Sequence, residues 1–200
     1  MRAREPIPAE ELSIVPANEA PWEDLQAVLG PEHCFCQRYK TSQWIWHVPE
    51  ESRVAAQRAQ SHCDEPGAPT TTGLLAYLGE EPVGWVAVEP RPNYPGLTRT
   101  VWSGRTEDRA DADVWAVTCF VVRRGYRRRG VTYALIEAAV EHARARGARA
   151  IEGYPMLTEP GKEITWGELF VGAYQVFADA GFTEVSRPSK RRRVMRLDLA

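Results

Sequence analysis

The sequence predicts an α/β fold, and three observations carry the prediction. Apolar residues recur first in the alternating and continuous runs of strands and later at the three-to-four-residue spacing of helices. The longest apolar run, Val114 to Val122, stands past the middle of the chain, and it leads directly into a loop, an amphipathic helix and a further strand. With 200 residues, 44% of them hydrophobic, the chain has the material for one domain with a sizeable core.

Each element has its own justification. Leu12 to Val15 is a short strand candidate. Trp22 to Leu29 reads as a helix because Glu23 and Asp24 fall in its first turn, where carboxylates suit the helix dipole, and Gly30-Pro31 ends it. Cys34 to Trp46 is aromatic and irregular, whereas Glu50 to His62 is polar enough for a surface helix. Gly73 to Leu78 and Val83 to Val88 are apolar runs on either side of Gly79, Glu80, Glu81 and Pro82, which makes a hairpin. The unbroken apolar character of Val114 to Val122 predicts a strand covered on both faces. Val131, Ala134, Leu135, Ala138 and Ala139 then share one helical face, Gly147 closes that helix, and Arg149 to Tyr154 is the next strand. Residues 114–154 therefore form a right-handed parallel crossover. After a long loop from Pro155 to Gly167, Thr165 and Glu168 have capping-box spacing for one last helix. Phe170, Ala173, Phe177 and Ala180 form its stripe, Gly181 its end, and Phe182 to Val185 and Val194 to Leu199 are closing strands.

Charge and cysteine usage exclude several classes. A formal net charge of −2 from 25 basic and 27 acidic residues gives no general electrostatic hold on nucleic acid or anionic lipid, so neither is expected as a partner. No run of about 18 apolar residues is present and the N-terminus has no signal-type apolar stretch, so a cytoplasmic protein is expected. The four cysteines are then reduced. Cys34 and Cys36, even with His33, His62 and Cys63 to hand, lack the spacing of common zinc sites, and no metal is expected. Cys119 is assigned to core packing, while Trp44, Trp46, Trp102 and Trp166 lie in irregular segments and are candidates for an aromatic acceptor pocket.

The chemistry is concentrated between Arg123 and Thr132. A strand that runs into a glycine at the first turn of a helix leaves backbone N–H groups converging on one spot, and the helix dipole adds positive potential there. Gly130 permits close approach, and the arginines at 123, 124, 127, 128 and 129 add charge-assisted donors. A diphosphate is the natural guest. The spacing is neither that of a P-loop nor that of a dinucleotide-binding turn.

Arg127, Arg128, Arg129, Gly130, Val131 and Thr132 at this turn resemble the Arg/Gln-x-x-Gly-x-Gly/Ala signature of the GNAT superfamily of acyl-CoA-dependent N-acyltransferases, with Thr132 in place of the usual small residue. The order of elements from about residue 72, through the Ala-Gly-Phe at 180–182, is similar to that superfamily too, and the N-terminal segment resembles actinobacterial-type members of unassigned substrate. The resemblance implies a mixed, mostly antiparallel sheet with helices on both faces and splayed fourth and fifth strands. It implies one domain over 1–200, in which 1–70 is a variable acceptor-side or lid segment and 72–200 binds acetyl-CoA as cosubstrate. Phe120, Val121 and Val122 would line the pantetheine and supply an N–H for the thioester oxyanion, while Arg127, Arg128, Arg129, Gly130, Val131, Thr132 and Tyr133 would hold the diphosphate.

The proton-transfer groups depart from the family pattern. The strand Val114 to Val122 carries no carboxylate, so Glu152, in the otherwise apolar strand that follows, is the preferred base, ahead of Asp113; a solvent-facing Glu152 on an alternating strand is the competing reading. Phe177 stands where relatives keep a tyrosine acid, leaving Tyr154, with Tyr174, as the proton donor to the leaving thiolate. The sequence thus predicts an N-acetyltransferase acting on a small-molecule or protein amine by direct attack, compatible with a homodimer. The alternative is a non-catalytic CoA-binding or interaction module with a degenerate site.

Overall fold

The computed structural model describes residues 5–30, 34–41, 44–158 and 164–199. Its sheet contains β1 (Leu12–Pro16), β2 (Gly73–Leu78), β3 (Glu81–Pro90), β4 (Val114–Val122), β5 (Ala150–Gly153), β6 (Thr183–Ser186) and β7 (Val194–Asp198), in the spatial order β1-β2-β3-β4-β5-β7-β6. Only β4 and β5 pair in parallel, as a crossover connection requires; the other neighbours are antiparallel. The helices are α1 (Trp22–Leu29), α2 (Glu50–Ser61), α3 (Val131–Ala145), α4 (Trp166–Leu169) and α5 (Tyr174–Asp179).

The two sheet faces bury separate cores. Leu25 and Leu29 of α1 pack with Trp85, Tyr94, Cys119 and Tyr154 on one side. Leu135 and Ile136 of α3 pack with Val117, Phe120 and Phe177 on the other. β4 lies between them, buried along all but its last residue, which is why its sequence shows no alternation.

Two irregularities of β4 position the site. Ala87 faces Cys119 while Val88 faces Val117, so Thr118 is an extra residue, and the strand bulges there. Pairing with β5 runs only from Val114–Ala150 to Val117–Gly153, and Pro155, which has no N–H to donate, follows soon after. Beyond that point the chain itself bridges the two strands. The Phe120 N–H donates to the Phe170 carbonyl at 2.6 Å, the Met156 N–H to the Gly172 carbonyl at 3.0 Å, and the Tyr174 N–H to the Met156 carbonyl at 2.9 Å.

That bridge corrects one expectation. Instead of a single last helix there are two short ones, α4 and α5, interrupted around Gly172, whose φ of +87° is left-handed. The predicted start of α4 is present: the Glu168 carboxylate accepts from the Thr165 N–H at 3.3 Å. Among the described residues no helix is long and apolar enough to cross a membrane.

Candidate active site

A groove of about 290 Å³ runs from the β4–α3 turn to the end of β4. Tyr126, Arg127, Arg128, Gly130, Val131, Thr132 and Tyr133 line one end, and Phe120, Val122, Phe170, Gly172, Ala173 and Val176 the other. Gly130 precedes α3 with φ +93°, a conformation that favours glycine. Arg128, at φ +61°, shares the left-handed region. Arg127 donates from Nε to the Val122 carbonyl at 2.9 Å, which ties the loop to the strand end.

Two of the predicted cofactor residues are outside this lining. Val121 packs into the core on the α1 face. Arg129 turns to the N-terminal segment: its Nε donates to the Glu5 carbonyl at 2.8 Å, and its carbonyl accepts from the Ile7 N–H at 2.8 Å. Of the 120–122 segment expected to supply an N–H for the oxyanion, the Phe120 N–H is occupied by the Phe170 carbonyl.

Phe177 is fully buried and fills the space that Gly153 leaves; a Cβ on that glycine would lie 1.9 Å from the ring. The ring also meets Phe120 and Phe182 edge-on, with centroids 5.9 and 5.2 Å apart. A hydrocarbon seal therefore stands at the position the sequence marked as lacking a tyrosine.

Glu152 is neither solvent-facing nor in an apolar setting, which corrects both expectations for it. It is fully buried, and three guanidiniums surround it: Arg105 at 2.6 Å, Arg91 at 3.1 Å and Arg196 at 3.8 Å. The Tyr154 hydroxyl, also buried, donates to its second oxygen at 3.2 Å. Burial pushes the Tyr154 hydroxyl well above the ordinary tyrosine range, and the charge of Glu152 adds to the effect. Burial works against the charge on Arg105, but its hydrogen bonds to Glu152 and Glu107 outweigh that and hold it above the ordinary arginine value. Trp102 stacks beneath the cluster, 4.5 to 5.4 Å from the guanidinium carbons of Arg105, Arg91 and Arg109.

A second buried carboxylate escaped the sequence reading. Glu89, near the end of β3, lies directly across from Ala116 of β4. It forms an ion pair with Lys40 and accepts from Asn93 Nδ2 at 3.0 Å. Sequence alone gives it no distinction, because only the β3–β4 register reveals that it stands beside the strand lacking a carboxylate of its own.

The remaining candidates disperse. Trp44 and Trp46 are 57% and 54% exposed, Trp102 is buried under its arginines, and the side chain of Trp166 lies outside the described structure, so the described tryptophans form no shared pocket. The Cys36 sulfur accepts from Trp85 Nε1 at 3.1 Å, and His62 pairs with Glu65. Among the described residues no three His, Cys, Asp or Glu side chains converge as a metal site, and His33 lies outside them. A hydrogen bond with Cys36 and burial raise the Cys119 thiol well above its usual range, and burial raises Cys34 to about 11, so neither is a thiolate at neutral pH.

Comparisons with known proteins agree with this geometry. A GCN5-related N-acetyltransferase from Kribbella flavida superposes with a TM-score of 0.56 at 18% identity, covering 96% of this chain and 100% of that one. yncA of Salmonella typhimurium, a putative acetyltransferase solved with its cofactor acetyl-CoA, gives 0.53 at 14% identity and 95% coverage of each chain. The GNAT domain of S. lividans PAT gives 0.52 at 20% identity, covering 96% and 99%. A sequence search of curated proteins finds no match. At these identities the superpositions establish the fold; membership rests on the match of residues 35–154, more than half of the chain, to the family described as Acetyltransferase (GNAT) family. This chain belongs to the GNAT acetyltransferase family.

Proposed function

We propose that this protein transfers an acetyl group from acetyl-CoA to a primary amine by direct attack on the thioester. The observation that carries the reading is the continuous groove from the Gly130 turn to Phe120. Its turn end offers guanidiniums, the Thr132 hydroxyl and a helix N-terminus, which suit a diphosphate. Its other end is apolar and follows the stretch of β4 beyond its pairing with β5, which suits a pantetheine arm adding to a strand edge.

This chain's residues have three tasks in such a reaction. The turn holds the phosphates; β4 aligns the thioester; and the Phe120 N–H, once the Phe170 carbonyl has let it go, polarises the thioester carbonyl. Phe177 supplies no proton, but a thiol of pKa about 8.5 leaves without an acid. We read Glu152 and Tyr154 as the anchor of the arginine cluster, because the Glu152 carboxylate is the charge that buried Arg91 and Arg105 share.

The bond between Phe120 and Phe170 favours one other reading, a CoA-binding module that does no chemistry. Calorimetry with acetyl-CoA, followed by thiol release in the presence of amines, decides between them. Tight binding and amine-dependent release are expected from the native chain, whereas binding without release would make it the module. Beside Gly130→Ala, which carries the same left-handed backbone strain without the charge, Gly130→Asp places a carboxylate at the phosphates and should abolish binding. Undiminished affinity in that variant would remove the groove as the CoA site.

A further inference from the structure

Acyl transfer to an amine needs a proton acceptor, since an alkylammonium of pKa about 10.4 carries no lone pair at neutral pH. We propose that Glu89 is that acceptor, reached through the hydroxyls of Thr118 and Tyr94; this rests on the acetyltransferase reading above. Thr118 is the bulged residue of β4, two positions before Phe120 at the inner end of the groove. Glu89 lies on the neighbouring strand across from Ala116, two positions before the bulge. Tyr94 packs on the same face of the sheet, on the β3–β4 connection, and its hydroxyl faces both the Thr118 side chain and the Glu89 carboxylate.

The Tyr94 hydroxyl is the unusual member. The residue is 1% exposed, and its oxygen closes no hydrogen bond among the described residues. Its place between a carboxylate and the bulge, sealed from solvent, calls for a reason. A proton path from bulge to carboxylate supplies one. Glu89 is already oriented for the task, with Asn93 on one oxygen and Lys40 on the other. When Glu89 becomes the neutral acid, Lys40 keeps a second partner, because its ammonium lies 4.8 Å from the centre of the Tyr94 ring. Glu152 is instead the shared partner of two buried guanidiniums, Arg91 and Arg105, and of the Tyr154 hydroxyl. Among the described residues, the charged and titratable groups recorded against Glu89 and Tyr94 are Lys40 and Cys36 from the N-terminal segment, with Cys119 of β4 beyond Cys36.

The steps balance. The acceptor ammonium gives one N–H proton to the Thr118 oxygen as that hydroxyl passes its own to Tyr94 and Tyr94 passes its own to Glu89. The freed lone pair forms the C–N bond at the thioester carbon. The C–S bond then breaks, and the sulfur keeps the electron pair and takes the second N–H proton. Glu89 returns its proton to water through the same hydroxyls when the products leave.

Two nucleophiles test the proposal: a primary amine drawn from tyramine, spermidine and a lysine peptide, and hydroxylamine, which is unprotonated at neutral pH and needs no base. Glu89→Gln and Tyr94→Phe should each lose about 10²-fold more kcat/KM with the amine than with hydroxylamine. Lys40→Met removes the cation paired with the Glu89 carboxylate, so the acidic limb of the amine kcat/KM profile should move to higher pH. Equal losses with both nucleophiles, or an acidic limb that stays in place in Lys40→Met, would overturn the assignment. Should Glu89→Gln fail to fold, the Lys40→Met profile alone decides. A native protein that binds no acetyl-CoA and acetylates neither nucleophile refutes the acetyltransferase reading itself, a different failure from equal losses in the variants.

Discussion

Replacing Glu152 with glutamine would take the carboxylate partner from buried Arg91 and leave Arg105 only Glu107, and a broken buried pair costs about 3–5 kcal/mol. Urea unfolding of Glu152→Gln should show a loss of that order. A side chain acting as a proton acceptor alone would instead leave stability intact and lower turnover, so the two measurements separate the roles. A second residue-scale prediction concerns His142. Burial, reinforced by the Arg146 charge, lowers its pKa to about 4, and Arg146 donates to Nδ1 at 3.0 Å, so the ring is neutral in the fold. The unfolded chain binds a proton near pH 6.5 and the folded one only near 4. The contribution to stability is therefore fully present above 6.5 and lost as pH falls from 6.5 towards 4. Denaturation midpoints should fall over that window, and His142→Phe, which keeps a ring against Trp115, should flatten the fall.

Among the elements, the segment between α4 and α5 is the one the sequence conceals. Its apolar spacing fits a continuous helix, yet the Phe170 carbonyl, Gly172 and Tyr174 make their hydrogen bonds to β4 and to Met156. Tertiary partners outcompeted local periodicity there, and nothing in a single sequence reports them. Gly153 and Phe177 are coupled in the same region, since any Cβ at 153 must displace the ring. Gly153→Ala should destabilise by about 1–3 kcal/mol through overpacking. Phe177→Leu in the same chain should recover part of that loss, so a double-mutant cycle by urea unfolding should be clearly non-additive.

For the whole molecule, strands and crossover were legible because each depends on local pattern: β4 on its continuous apolar run, α3 on its period, the turn between them on Gly130. The proposed proton acceptor was not. Glu152 looked isolated because Arg91, Arg105 and Arg196 lie at a distance along the chain, and Glu89 looked ordinary because its significance depends on facing Ala116. Pairing partners across strands are long-range facts, and one sequence does not encode them in any local window.

The clasp of Glu5 and Ile7 upon Arg129 joins positions more than a hundred residues apart. A bulky leader fused ahead of this short stretch would pull on the Gly130 turn from outside the groove. Purified protein carrying a bulky leader should therefore bind acetyl-CoA more weakly than the same protein after the leader is cleaved, at nearly equal melting temperature. Affinities measured on tagged material would then understate the native grip.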